Sequence, residues 1–310
     1  MGAGWVAGVT RARSMAVGRL GPDAARELAA SATLTEALRA LANTRYRKVR
    51  ETEAEAEAAA AGRAVSAALL WQLRVLAGWQ PRAGVAALRR LAAGFEIANT
   101  CDHLRALAGE PRPAPYRLGA LATAWPRLAR TSDARGVRAV LTASPWGDPG
   151  GESAAAVLTG MRLSAAAGVV ADLPQAARWA AGDTALLLAR ESYLLDRPPT
   201  GRAAGYAGRI LGRSAVQAVS YDDFRARLPS AARWALKEAG RPADLWRAEA
   251  RWWAAVERDG LEMLHKADFG VTPVVGAVAV LSADAWRLRA ALLAAAHEGR
   301  AREAFDDLLE

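Results

Sequence analysis

The chain has 310 residues, 52% of them apolar, and carries 41 basic against 32 acidic side chains for a net charge of +9. That apolar content over that length supplies buried cores for two or three ordinary domains and excludes a disordered chain. A single cysteine, Cys101, excludes an internal disulfide and a thiolate metal cluster, which fits a reducing compartment.

The first residues, Gly2 to Val9, are too short and too poorly flanked by basic residues for a signal-peptide core, and Val6 stands where a myristoylation signal needs Ser or Thr. The expectation is a cytoplasmic chain without a lipid anchor. Through residue 50 there are nine basic side chains against three acidic ones, giving this region a positive field. Arg11, Arg13 and Arg19 form a candidate face for anionic headgroups or an acidic partner, since Arg bridges phosphates and carboxylates bidentately. Without interleaved aromatics or a recognition helix, the same face gives poor support for nucleic-acid readout.

Pro22 and Asp23 open a helix, and Thr33 followed by Glu36 has the pattern of a capping box at the start of the next. The unit from Leu34 through Leu41 and Thr44 to Tyr46 returns at an offset of 100, with Leu141, Ser144 and Trp146 in the matching places. A repeat of this size implies duplicated helical domains. Alternating Glu and Ala from Glu51 to Ala61 favour helix and run on to Leu76, with Leu70, Leu73 and Leu76 on one side, until Gly78 and Pro81 end the segment. Val85, Leu88, Leu91 and Phe95 mark a further amphipathic helix reaching Leu107.

The Pro-rich run Glu110 to Pro115 then forbids helix and reads as a domain boundary; Arg197 to Gly201 is a second. Beyond it, a helix from Pro242 to about Lys266 carries Leu245, Trp252, Val256 and Met263, and a last long helix carries Leu281, Ala285, Leu288 and Leu292. Helical periodicity throughout and the lack of alternating β-branched runs predict an all-α fold, with domains at 1–112, 113–201 and 202–310. Charges interrupt every apolar run near 18 to 20 residues; Val271 to Leu281 meets Asp284 and Arg287, which argues against a membrane span. The eleven tryptophans are expected in the core or, with Arg, at docking patches.

Candidate chemistry is thin. Gly2-Ala3-Gly4 with Gly8 lacks the strand that a dinucleotide loop follows, and Asp268-Phe269-Gly270 lacks the other kinase elements. Cys101, Asp102 and His103 are sequence neighbours that point about 100° apart on a helix and form no nucleophile-base pair. His103, His265 and His297 lie far apart without carboxylates at metal-binding spacing, and no phosphate-binding Gly-Lys-Ser/Thr loop occurs. The chain is therefore expected to work without catalytic residues, cofactor or metal.

Four stretches resemble the C-type rotor protein of the bacterial and archaeal A/V-type ATPases, whose counterpart in the eukaryotic vacuolar enzyme is the d-type protein. Arg11-Ala12-Arg13-Ser14-Met15 with Arg19-Leu20 is similar to the family's opening helix, and Leu34 to Tyr46 to its Leu-rich helix ending in Thr-x-Tyr. Glu96-Ile97-Ala98-Asn99 with Leu104-Arg105 resembles the segment that closes the first domain. Gly276 with Ala283-Asp284-Ala285-Trp286-Arg287-Leu288-Arg289 resembles the Gly-Tyr…Ala-Glu…Leu-Arg signature, with Ala277 and Asp284 departing from it. The resemblance implies three similar helical-bundle domains in a pseudo-threefold, funnel-like arrangement. It also implies a non-catalytic rotor component, peripheral on the inner face of the cell membrane. Its partners would be the rotor-stalk subunits and the membrane proteolipid ring, with contact to an anionic membrane surface. Arg105 and Arg289 occupy matching motif positions and are expected to pair with Glu96 or Asp284. The rival reading is a stand-alone basic helical regulatory protein that binds nucleic acid.

Overall fold

In the computed structural model, which describes residues 3–49 and 58–297, the fold is all-α, with no strand among the described residues. The helices gather into two compact units, one made of residues 1–88 and 253–310, the other of residues 89–252.

The first unit contains α1 (Val6–Val17), α2 (Gly21–Ala29), α3 (Leu34–Ala40) and α4 (Ala58–Gly78). Helix α5 (Arg82–Leu91) carries the boundary between the units. The second unit follows with α6 (Ala93–Leu107), α7 (Trp125–Leu128), α8 (Ala134–Thr142), α9 (Ala154–Asp172) and α10 (Ala177–Tyr193). It continues through α11 (Gly201–Leu211), α12 (Arg213–Val216), α13 (Tyr221–Arg227) and α14 (Ser230–Arg233). Helix α15 (Leu245–His265) carries the second boundary, and α16 (Val271–Ala296) belongs to the first unit.

The expected boundaries at 112/113 and 201/202 both lie inside the second unit, so the prolines there separate helices rather than compact bodies. The physical reason lies in α16. It packs against α1, α2, α3 and α4, so the C-terminal helix completes the core begun by the N-terminal ones. In the second unit α9 touches α6, α10 and α11, which joins what the sequence punctuates as two segments.

Helix starts follow the sequence signals. Thr33 caps α3, its Oγ1 accepting from Glu36 N at 3.2 Å, while Glu36 Oε2 reaches one residue past the cap and accepts from Ala32 N at 2.9 Å, so the expected capping box closes on Ala32 and not on Thr33. Residues 50–57, including the Glu-rich start of the predicted long helix, lie outside the described residues; α4 covers its remainder.

Two helices are long and apolar enough to cross a membrane, Ala154–Asp172 with mean hydropathy 1.5 and Val271–Ala296 with 1.3. This departs from the expectation that charges interrupt every such run: Arg162 and Asp172 in the first, and Asp284, Arg287 and Arg289 clustered toward the end of the second, each leave an 18-residue stretch with few charges. Each of these helices packs against several others of its unit, and α16 is buried along nearly its whole length. The tryptophans divide: Trp146 and Trp179 are buried, Trp253 and Trp286 stack at 5.8 Å, and Trp71 and Trp79 are more than half exposed.

Candidate functional site

The two sequence copies at offset 100 build the same local object. After α3, Thr44 Oγ1 donates to Leu41 O at 2.8 Å and accepts from Tyr46 N at 3.1 Å, a short hydroxyl-supported turn that drives the next aromatic inward. After α8, Ser144 Oγ donates to Leu141 O at 2.7 Å and accepts from Trp146 N at 3.2 Å. Thr and Ser are interchangeable here because both offer one donor and lone pairs on a short side chain.

Each aromatic ends on a buried carboxylate that belongs to one of the family-like stretches. Tyr46, fully buried, donates its hydroxyl to Asp284 Oδ2 at 3.1 Å; the same carboxylate accepts from Leu20 N at 3.2 Å and Gly21 N at 2.8 Å, just where α2 begins. In the other unit Trp146 Nε1 donates to Glu96 Oε1 at 2.8 Å, and Glu96 accepts from Thr123 N and Ala124 N, both at 2.6 Å, ahead of α7. An anion at a helix start satisfies orphan N–H groups and complements the helix dipole. With three donors apiece, the buried carboxylates of Asp284 and Glu96 are satisfied by hydrogen bonds, and the charge of Arg45 adds to the field around Asp284. Burial, and after it the Asp284 charge, holds the Tyr46 phenol well above its ordinary value, so it remains the donor.

The stretch from Ser220 to Arg233 shares only part of this pattern. Ser220 Oγ accepts from Asp223 N at 3.2 Å and Leu228 is buried, matching Thr33 and Leu41. Counting from that cap, Ala231 and Arg233 stand where Thr44 and Tyr46 stand, so neither the turn nor the aromatic donor is present.

Arg105 and Arg289 do not pair with these carboxylates, contrary to expectation: both arginines are exposed, and the carboxylate oxygens take other donors. The arginine that is buried near Asp284 in sequence is Arg287, which bonds Glu257. Asn99 is buried and works on backbone: its Nδ2 donates to Tyr116 O at 2.9 Å and its Oδ1 accepts from Tyr116 N at 2.7 Å, tying the Pro-rich segment to α6. Gly276 permits a close crossing, because a Cβ there would lie 2.6 Å from Gly260 O and 2.9 Å from Met263 Cβ.

The N-terminal arginines are not a free face. Arg13 Nε donates to Leu264 O at 3.2 Å, and its Nη2 donates to Lys266 O at 2.7 Å and Asp268 O at 3.2 Å, so it caps the C-terminus of α15. Arg19 lies 3.7 Å from Glu257, and Arg11 is half-buried. Charge is distributed differently from the local count at the N-terminus: residues 89–252 hold 23 basic and 15 acidic side chains, a net +8, whereas the first unit holds 18 and 17.

His103 is buried with its Nε2 3.1 Å from Thr131 O and 3.0 Å from Thr131 Oγ1; burial lowers its pKa, with Arg112 adding to the effect. Burial pushes the Cys101 thiol up to about 11, leaving it protonated and inert. Among the described residues no group of three or more His, Cys, Asp or Glu is arranged to hold a metal ion. A pocket of about 160 Å³ between α9 and the start of α11 is lined by Pro149, Thr159, Glu191, Arg197, Pro199 and Thr200, and Arg197 closes on Glu191 at 3.3 Å. The arrangement as a whole can fix helix starts to distant helices; three of the roughly four acceptor sites on each carboxylate are already taken. No family model matches the chain, and a search of curated proteins finds no match to it.

Proposed function

We propose that this chain is a non-catalytic central-stalk component of a rotary A/V-type ATPase, which couples the soluble stalk to the membrane proteolipid ring during ATP-driven ion transport. It would act from the cytoplasmic side as a peripheral protein. In this reading the chain is built of three similar helical repeats, of which the third has lost the aromatic lock.

One observation carries the reading. Tyr46, Glu96 and Asp284, picked out by the family resemblance from separate parts of the sequence, fall into two copies of one hydrogen-bonded device. A part that transmits torque needs helix starts fixed rigidly to neighbouring helices, and a buried carboxylate holding two backbone N–H groups and an aromatic donor supplies such a joint. Gly276 supports the reading too, since a crossing as close as that of α15 and α16 there resists sliding.

The test is a mild-detergent pull-down of the tagged protein from its native membranes, with partners identified by mass spectrometry. Recovery of ATPase stalk subunits and the ring proteolipid is the expected result. Finding the protein alone, or with nucleic acid, in the soluble fraction would overturn the assignment.

A further inference from the structure

Between residues 105 and 135, six arginines are exposed: Arg105, Arg112, Arg117, Arg127, Arg130 and Arg135. Among the described residues none of the six has a carboxylate at salt-bridge distance, whereas nearby Arg90 and Arg138 are paired with Asp172 and Asp148. The interval contains two carboxylates, Glu110 and Asp133, and Asp133 is engaged as the cap of α8, accepting from Gly136 N at 2.6 Å.

The segments that carry these arginines meet around His103. Its ring touches Thr131, the neighbour of Arg130, and lies edge-on to Trp125, two residues before Arg127, and it feels the charge of Arg112. Asn99 holds the Pro-rich segment bearing Arg112 and Arg117 along α6. Unpaired guanidinium groups on one rigid set of segments repel one another, and an anionic surface relieves that repulsion.

We propose that this arginine face of the second unit, rather than Arg11, Arg13 and Arg19, is where the chain meets the phosphate headgroups of an anionic phospholipid membrane. The choice of a membrane over a free polyanion rests on the rotor reading, and the local aromatics favour it as well. The two aromatics of this interval, Tyr116 and Trp125, are both half-buried, so neither stands out as the exposed stacking platform that single-stranded nucleic acid uses. A cluster of four to eight basic residues is the size that anionic leaflets recruit.

The test uses the purified full-length chain with sedimented vesicles of phosphatidylcholine alone or with about a third phosphatidylglycerol, at low and moderate salt. Binding to the anionic vesicles, weakening with salt, is expected. The triple variant Arg112→Gln, Arg127→Gln, Arg130→Gln should bind about a hundredfold more weakly, at unchanged melting temperature. A variant with equal charge loss in the first unit, Arg39→Gln, Arg74→Gln, Arg82→Gln, should bind within about threefold of the parent. Equal losses in both variants, absence of binding to anionic vesicles, or tighter binding of a single-stranded RNA oligomer through the same arginines would each overturn the proposal. Because vesicle binding needs no rotor partner, failure here leaves the pull-down result standing, and the reverse also holds.

Discussion

Tyr46 and Asp284, 238 positions apart in sequence, are joined by a 3.1 Å hydrogen bond buried in the first unit, and Trp146 and Glu96 repeat the relationship in the second at 2.8 Å. In both, the aromatic donor and two backbone N–H groups share one carboxylate. Replacing Asp284 by Ala leaves the Tyr46 hydroxyl and the N–H groups of Leu20 and Gly21 without their acceptor. The expected cost is about 3–5 kcal/mol, read as a fall in the denaturation midpoint. Tyr46→Phe removes one donor and should cost about 1–3 kcal/mol. In the double variant the two losses should fall short of additive by at least about 0.5 kcal/mol; strict additivity would mean the pair does not act as a unit.

The repeat was legible in the sequence because side-chain type and spacing both recur: Leu, a hydroxyl three residues on, and an aromatic two beyond that. Its partners were legible only as positions. Glu96 and Asp284 stand out in the sequence, but arginine is the counter-ion it suggests, since sequence shows side-chain charge and hides the backbone N–H groups that the fold brings to a carboxylate. The same blindness affected Arg13, whose acceptors are carbonyls about 250 residues away, and the domain boundaries, because nothing local announces that α16 returns to the N-terminal helices.

Arg13 is consequently a stability residue. Arg13→Glu removes a bond to Leu264 O in the last turn of α15 and two to Lys266 O and Asp268 O just beyond it, and places a negative charge against the negative end of the helix dipole. A loss of about 2–4 kcal/mol is expected. Thermal melts of Arg13→Glu beside Arg74→Glu, an exposed arginine in the interior of α4, test this. Equal midpoints in the two would show that Arg13 is free after all.

Close packing at Gly276 predicts a contrast between glycines. An added methyl there meets Gly260 O at 2.6 Å, backbone that cannot step aside, so Gly276→Ala should cost about 1–3 kcal/mol or more by overpacking. At Gly94, near the start of α6, nothing lies within 4 Å of the added carbon, and Gly94→Ala should stabilise by about 0.4–1 kcal/mol through the unfolded chain's lost freedom. Paired urea titrations decide it: midpoints moving in the same direction would refute the close crossing.

His103 gives the fold a pH dependence whose direction follows from its hydrogen bonds. Thr131 O is a carbonyl and can only accept, and Thr131 Oγ1 already donates to Leu128 O at 2.7 Å, so His103 Nε2 carries the proton toward them. Its Nδ1 is buried without a partner, and protonation there would place a charge with no acceptor beside Arg112. Folding therefore lowers the pKa below the ordinary 6.5, and on acidification the unfolded chain takes up the proton first. Stability from this group is complete above about pH 6.5 and declines as pH falls toward the folded value, by at most about 1.4 kcal/mol per unit. Denaturation midpoints measured between pH 7.5 and 5 should fall more steeply for the parent chain than for His103→Gln, whose amide does not titrate. Parallel curves would place the acid sensitivity on another group.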